Sequence, residues 1–163
     1  GSVRMADMLD PDMTWKDVDD LRAIWKGPLI LKGLLHPDEA RAALDHGVDA
    51  VIVSNHGGRQ LDGASSGIEA LPGVVEAADG RMQVLVDGGI RRGVDVVRAL
   101  VLGASACLIA RPQLFGLAVA GEAGVARVLE IFRSEIDRVM GFCGAKSVAE
   151  LTPDLLLRTP WRD

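Results

Sequence analysis

The stretch SNHGGRQLDG, residues 54–63, places a histidine and an arginine three residues apart beside two glycines. It follows the apolar run from Ala50 to Val53, which has the composition of a buried strand. Imidazole can accept a proton at neutral pH, and glycine lets backbone and ligand approach closely. We therefore interpret His56 as a functional residue, with Arg59 beside it.

Polar residues also follow the other apolar runs, and most are cationic. Lys32 closes the first run, Asp87 the third and Arg111 the fourth, and Arg91 lies in the Gly-rich turn DGGIRRG. A rim of such positive charge, with Asp87 among it, indicates an anionic ligand. The turn also offers free backbone N–H groups at a helix start, which bind phosphate well. Two alternatives stay open, a solvated strand end for Lys32 and a helix cap for Asp87.

The elements that position these residues alternate along the chain. Short, continuous apolar runs predict buried strands within 28–33, 50–55, 83–89 and 106–112. Helical patterns cover 14–25, 36–47, 67–80, 93–103 and 121–144, the third of them in two parts broken at Pro72. The order is a helix followed by four strand–helix units, which predicts a parallel α/β sheet. Ligands bind at the carboxyl ends of such strands.

Two architectures fit this order, a small doubly wound sheet or half of a (β/α)8 barrel. The turns DHGVDAVIV and VLGASACLIA both read as helix end, glycine and buried strand, a faint repeat that a barrel would explain. In barrels, the loops after the last two strands often bind phosphate. The sequence has neither a G-x-G-x-x-G fingerprint nor a P-loop, so a dinucleotide-binding or nucleotide-triphosphatase function lacks its motif.

Composition limits the function classes. The 163 residues are 48% hydrophobic with a formal charge of −5, which suits one soluble globular domain and argues against nucleic acid as a partner. No apolar stretch approaches the roughly 18 residues of a membrane span, and we expect no signal peptide. Cys107 and Cys143 form no metal or redox motif, which favours free, buried thiols and a cytoplasmic location.

The segments LILKGL, SNHGGRQLDG, LVDGGIRRGVDVVRALVLGA and ARPQLFGLAVAGEAGV resemble the flavin-dependent 2-hydroxy-acid oxidases and dehydrogenases, the family of glycolate oxidase, lactate oxidase and mandelate dehydrogenase. The resemblance runs from about Thr14 to Leu157. It implies a (β/α)8 TIM barrel of which this chain supplies about the last four βα units, a half-barrel. Residues 14–163 are then the C-terminal half of an FMN-binding barrel, and residues 1–13 are the tail of a preceding loop.

The resemblance also implies a role for each candidate residue. His56 is the general base that takes a proton from the α-carbon or α-hydroxyl of the substrate, and Arg59 binds the substrate carboxylate. The residues assigned to FMN are Lys32 at the N1–C2=O edge of the flavin, Ser54 beside it, Asp87 on the ribityl hydroxyls, and Gly88, Gly89, Ile90, Arg91, Ala110 and Arg111 at the phosphate. Ala110 departs from the glycine usual in the family and narrows the phosphate approach.

The predicted function is the FMN-dependent oxidation of an L-2-hydroxy acid, similar to mandelate or lactate, to the 2-oxo acid. The family's first barrel half supplies two tyrosines and an aspartate that pairs with the histidine, and this chain contains no tyrosine. We therefore expect the enzyme to require an N-terminal half, or the chain to associate with itself. The alternative is a non-catalytic half-barrel that binds FMN or another phosphate ligand and self-assembles.

Overall fold

A computed structural model describes residues 12–156 and confirms the predicted alternation of elements. The first helix, α1, begins after Thr14, whose backbone N–H donates to the carboxylate of Asp17 (2.6 Å). Of the predicted loop tail 1–13, residues 1–11 lie outside the described residues. The elements are α1 (Trp15–Ile24), β1 (Ile30–Leu34), α2 (Pro37–Asp45), β2 (Ala50–Val53), α3 (Gly67–Ala78), β3 (Gln83–Val86), α4 (Gly93–Val101), β4 (Ala106–Cys107) and α5 (Arg111–Cys143), with single 3₁₀ turns at His56–Gly58, Val148–Glu150 and Pro153–Leu155.

The sheet decides between the two predicted architectures. Its four strands are parallel and pair in the order β1-β2-β3-β4, so each strand lies beside the next one along the chain. A doubly wound sheet reverses its strand order at a switch point, and this sheet has no reversal. Sequential parallel strands with helical crossovers are the arrangement of half a (β/α)8 barrel.

The two faces of the sheet differ in burial. On the side of the helices, Val51, Val53 and Val86 are completely buried. On the opposite face Ile30 is 48% exposed, and Leu85 is only partly buried. A closed barrel packs this inner face with branched side chains from all its strands. The described residues therefore cover the outer face of the sheet, whereas the inner face is covered unevenly, with Ile52 buried (9% exposed) and Ile30 and Leu85 not.

The fourth strand is shorter than the run 106–112 predicted. Only Ala106 and Cys107 pair with β3, and the backbone N–H of Leu108 adds one more bond to the carbonyl of Val86 (2.9 Å). Within the described residues β4 has a neighbour on one side only, which limits the length over which its backbone groups are paired.

The last helix begins ten residues before its predicted start. α5 starts at Arg111, where Pro112 suits a first turn, and its backbone departs from helical geometry at Ala120 and Gly121. The predicted helix 121–144 is thus the second segment of α5, and 111–119 is a first segment that the sequence pattern missed. Among residues 12–156, no helix combines the length and apolarity needed to cross a membrane.

The predicted break at Pro72 is wrong. α3 runs without interruption from Gly67 to Ala78, with the proline at an exposed position. The proline removes one backbone donor, but Leu71 and Val74 beside it are completely buried. Tertiary packing of this apolar side keeps the helix continuous.

The predicted repeat has a structural basis in the ends of α2 and α4. Each helix is followed by a glycine with positive φ, Gly47 (68°) and Gly103 (98°). In both turns the next residue donates its N–H five residues back, from Val48 to Ala43 and from Ala104 to Ala99, at 3.0 Å. This hydrogen bond is typical of a Schellman helix end, and in both cases the next strand follows directly.

The two cysteines differ in environment. Burial raises the pKa of the half-buried Cys107 thiol to about 11, so this thiol is protonated at neutral pH. Cys143, at the end of α5, is exposed, and the expectation that both thiols are buried is wrong for this one.

Helices α4 and α5 approach closely at Gly93, and this contact can be tested. A Cβ at Gly93 would lie 2.5 Å from Cβ of Glu135 and 2.6 Å from the backbone nitrogen of Ile136. We expect Gly93→Ala to lower the free energy of unfolding by about 1–3 kcal/mol, because backbone cannot yield cheaply. The matched control is Gly141→Ala, at a helical glycine with open space around it, which should be neutral or stabilising. Equal effects in urea denaturation would contradict the contact.

Candidate active site

Three predicted residues from three strands meet at the carboxyl edge of the sheet. The ammonium group of Lys32 donates to the hydroxyl of Ser54 (2.9 Å) and lies 2.8 Å from the carboxylate of Asp87. Ser54 is completely buried, and the Asp87 side chain is 19% exposed. Lys32 is thus paired with an acid, while its side chain remains 38% exposed. These residues form one polar cluster, which we call the lysine–serine–aspartate cluster.

His56 is joined to this cluster through its backbone. Its N–H donates to the hydroxyl of Ser54 (3.1 Å), and the residue has a positive φ of 55°, uncommon for a residue with a side chain. The turn is closed by Asn55, whose side-chain oxygen accepts the N–H of Gly58 (3.2 Å). A Cβ built on Gly33 would lie 2.6 Å from Nε2 of His56. The imidazole therefore lies over a glycine at the end of β1.

Arg59 ends the same turn, and its side chain is exposed. The acid that would orient the histidine is not found among the described residues, since none of their carboxylates contacts the His56 ring. The nearby Asp62 instead accepts the N–H of Gly63 (3.1 Å). Asp62 and His56 therefore make no contact within residues 12–156.

The predicted phosphate turn follows Asp87. Gly88 and Gly89 both have positive φ, 86° and 76°, and a Cβ on Gly89 would meet no atom within 4 Å. The N–H groups of Gly88, Gly89 and Ile90 donate no hydrogen bond within the part of the chain that the structure describes. Ile90 is buried in the core, which leaves only its backbone for a ligand. Arg91 is exposed. The turn is an open cradle of backbone donors.

The helix start beyond this turn is not free, contrary to the expectation from sequence. The carboxylate of Asp95 accepts the N–H groups of Arg91 (3.1 Å) and Arg92 (3.0 Å). The carboxylate of Glu135 accepts the N–H of Gly93 (2.8 Å). Two carboxylates thus occupy the amino end of α4, where they complement the helix dipole. The open backbone N–H groups of this region are those of the preceding turn, Gly88, Gly89 and Ile90.

The start of α5, beyond β4, holds Ala110 and Arg111. Ala110 is the N-cap residue, with φ −128° and ψ −67°, and Arg111 is the first helical residue and is exposed. The side chains of Arg59, Arg91 and Arg111 make no ion pair within residues 12–156. All three follow carboxyl ends of strands. Their charge is available to an anionic ligand, as the sequence predicted.

The other two histidines have structural partners. His36 caps α2 by accepting the N–H of Asp38 (3.2 Å). His46 lies 2.6 Å from the carboxylate of Asp19 and stacks on the ring of Trp15. His56 is thus the histidine that lies beside the lysine–serine–aspartate cluster.

Four residues of the site escaped the sequence analysis. Asn55 shapes the histidine turn, Gly33 makes room for the imidazole, and Asp95 and Glu135 fill the start of α4. Asn55 could have been found, because asparagine before glycines favours such a turn. Glu135 could not, because it lies 43 residues from its partner Arg92.

Comparison with known proteins identifies the family. A model of the FMN-dependent dehydrogenases matches residues 2–158. The chain belongs to this family. It is 49% identical over 149 residues to an L-lactate dehydrogenase of Ectopseudomonas mendocina and 50% identical to one of Pseudomonas putida, in each case over 91% of this chain and 39% of the relative. The chain thus spans about two fifths of the length of these relatives.

Solved structures give the same result for the fold. A mandelate oxidase with (S)-2-phenylpropionate superposes with a TM-score of 0.84 at 48% identity, over 86% of this chain and 42% of that one. The same enzyme with benzoyl-formic acid gives the same values. The resemblance, the TIM-barrel fold of which this chain forms a part, and FMN as the cofactor of the family are confirmed.

The described residues fit FMN. Asp87 Oδ1 is buried and has no hydrogen-bond partner among residues 12–156, an arrangement that calls for a ligand donor such as a hydroxyl. The open cradle of N–H groups at Gly88–Ile90 and the exposed guanidinium groups of Arg91 and Arg111 suit a phosphate. The site therefore suits hydroxyl donors at Asp87 and an anion at the turn that follows it.

The contact between Gly33 and the imidazole generates a prediction. Gly33→Ala should slow substrate oxidation about 100-fold by displacing Nε2 of His56, because displacements near 1 Å have effects of this size. The control is Gly80→Ala, which also has a positive φ (67°) but open space around its Cβ. Alanine costs about 1–2 kcal/mol in the left-handed region that Gly80 occupies, and more at Gly33, whose φ of 106° lies outside that region. A rate in Gly33→Ala equal to that of the control would contradict the contact's role.

Proposed function

We propose that this chain is the C-terminal half of an enzyme that uses FMN to oxidise an L-2-hydroxy acid to the 2-oxo acid. The observation that carries the proposal is the position of His56, whose imidazole lies over Gly33 at the strand edge that holds the lysine–serine–aspartate cluster. The names of the relatives, L-lactate dehydrogenase and mandelate oxidase, support this substrate class.

The cofactor would be held by the residues at this edge. Lys32 and Ser54 would lie along the flavin, Asp87 Oδ1 would accept ribityl hydroxyls, and the turn from Gly88 to Arg91 with Arg111 would bind the phosphate. When bound, FMN supplies the acceptor for the two electrons that leave the α-carbon of the substrate. The cation of Lys32 favours negative charge on the ring edge beside it.

His56 and Arg59 would act on the substrate. Oxidation of a 2-hydroxy acid removes two electrons and two protons, and the imidazole of His56 accepts one of these protons, from the α-carbon or the α-hydroxyl. The guanidinium of Arg59 pairs with the carboxylate through two parallel hydrogen bonds, which orients the α-carbon toward the base. The exposure of Arg59 leaves it accessible for this contact.

A second barrel half would complete the site. Ile30 on the inner sheet face is 48% exposed, and the end of α1 exposes an apolar concavity lined by Leu21, Ile24, Trp25 and Leu29. The chain matches two fifths of its relatives and has no tyrosine, so the two tyrosines and the aspartate that the resemblance implies would come from elsewhere. We assign residues 14–163 to the C-terminal half and propose the N-terminal half of the same barrel as its partner.

The test is the colour of the assembled enzyme. Bound FMN gives a yellow protein, and anaerobic addition of L-lactate or (S)-mandelate should bleach it. Comparing the two acids identifies the substrate. A yellow protein that neither acid bleaches would favour the alternative of a half-barrel that binds FMN without turnover, and a colourless protein would exclude both functions.

Replacement of the base separates chemistry from cofactor binding. We expect His56→Ala to retain FMN but to lose at least about 10²–10⁴ in the rate of flavin reduction by substrate, the usual effect of removing a general base. Stopped-flow absorbance measures the rate, and the FMN content of the purified protein is the control. Reduction at the wild-type rate would overturn the assignment of His56.

Arg59 is tested by a change that keeps its charge. Arg59→Lys loses the bidentate geometry, so a carboxylate inhibitor such as oxalate should bind about tenfold more weakly while FMN affinity is unchanged. The control is Arg81→Lys, an exposed arginine before β3 at the opposite edge of the sheet. If oxalate binds both variants as it binds the wild type, Arg59 is only a surface charge.

A further inference from the structure

Glu135 of α5 binds the protein backbone at the end of the phosphate turn. One carboxylate oxygen accepts two hydrogen bonds from the guanidinium of Arg92, from Nε (3.0 Å) and Nη2 (2.6 Å). The other accepts the backbone N–H of Gly93 (2.8 Å). The turn that begins at Asp87 is therefore attached to α5 at its far end.

The carboxylate is well suited to hold this position. Its side chain is only 16% exposed, whereas that of Arg92 is 67% exposed. The hydrogen bond from Arg92, followed by that from the Gly93 N–H, lowers the pKa of Glu135, so the carboxylate is ionised at neutral pH. The three hydrogen bonds fix both its oxygens, which restricts how the turn can move relative to the helix.

The same helix carries the other half of the predicted anion site. Arg111 begins the first segment of α5, and Glu135 lies in the second. The segments are packed at Gly116 and Gly124, where a Cβ on Gly124 would lie 1.9 Å from the carbonyl oxygen of Gly116. Their relative placement is thus set by backbone contact. Glu135 is the link through which this helix also fixes the turn of Arg91.

The packing of α4 and α5 does not depend on this contact alone, because an apolar cluster that contains Val97, Val101 and Leu151 also joins them. An ion pair with so exposed an arginine contributes little to the free energy of unfolding. What the contact does determine is the position of the turn, because it acts on Gly93, at the boundary between the turn and α4.

We infer that Glu135 is a positioning residue, which through Arg92 and Gly93 holds the phosphate turn at a fixed distance from Arg111. The inference rests on the proposed function in that the anion is taken to be the phosphate of FMN. Glu135 itself does not touch the ligand. Its removal should therefore affect the phosphate end of the cofactor and leave the flavin end unchanged.

Riboflavin, which is FMN without its phosphate, provides the readout. The assembled apoenzyme is titrated with FMN and with riboflavin, and the quenching of flavin fluorescence gives both dissociation constants. Glu135→Gln keeps an acceptor for Gly93 but turns amide hydrogens toward Arg92. The matched control is Glu130→Gln on the same helix, which breaks the exposed pair with Arg127 (3.1 Å) and leaves the turn untouched.

We expect Glu135→Gln to weaken FMN binding about tenfold, an effect typical of residues that position ligand-binding groups without touching the ligand. Its affinity for riboflavin, and both affinities of the Glu130→Gln control, should be unchanged. Arg92→Gln should act alike, and the double variant should lose no more than either single one. Equal weakening of FMN and riboflavin, or no weakening, would overturn the inference. So would a wild type that binds both equally. An enzyme that shows the expected split but oxidises no 2-hydroxy acid would refute only the proposed function.

Discussion

The arrangement of the site depends on one constraint, the parallel pairing of each strand with the next along the chain. It brings the carboxyl ends of all four strands to one edge, so residues far apart in sequence become neighbours. The register pairs Lys32 with Ile52 and Ile52 with Leu85. Ser54 lies two residues after Ile52, and Asp87 lies two residues after Leu85, so both share the face of Lys32. All three side chains therefore point to the inner face of the sheet, and the long lysine side chain reaches the next layer to meet the other two.

The irregularity in β1 also shapes the site. The register shifts between Lys32 and Leu34, and the residue between them, Gly33, has a φ of 106°. Strand irregularities are frequent beside active sites, where they redirect side chains or backbone. Because residue 33 is a glycine, no side chain occupies the position of the His56 imidazole. The left-handed conformation and the contact with His56 both require a glycine.

Electrostatics divides the phosphate region into two parts. Asp95 and Glu135 accept the N–H groups of Arg91, Arg92 and Gly93 and bring negative charge to the start of α4. The preceding turn keeps its N–H groups open, and the unpaired arginines lie on either side of it in sequence. Positive potential is thus greater at the turn than at the helix start. The N–H groups at this helix start look free in the sequence but are bonded in the fold, because carboxylates of α4 itself and of α5 accept them.

The sequence by itself determined the alternation of helices and strands, the polar residues at the strand ends and, through SNHGGRQLDG, the family. These features are local, since apolar periodicity, caps and motif spacing are written within a few residues. Only the tertiary structure decided that the strands follow one another in sequence order and that α3 continues through Pro72. It also decided that Lys32 pairs with Asp87 and that Glu135 accepts the first N–H of α4. Each of these depends on contacts between residues distant in sequence, whose energies no local pattern contains. Burial of Leu71 and Val74 outweighs a lost hydrogen bond, and a carboxylate 42 residues away accepts the N–H of Gly93.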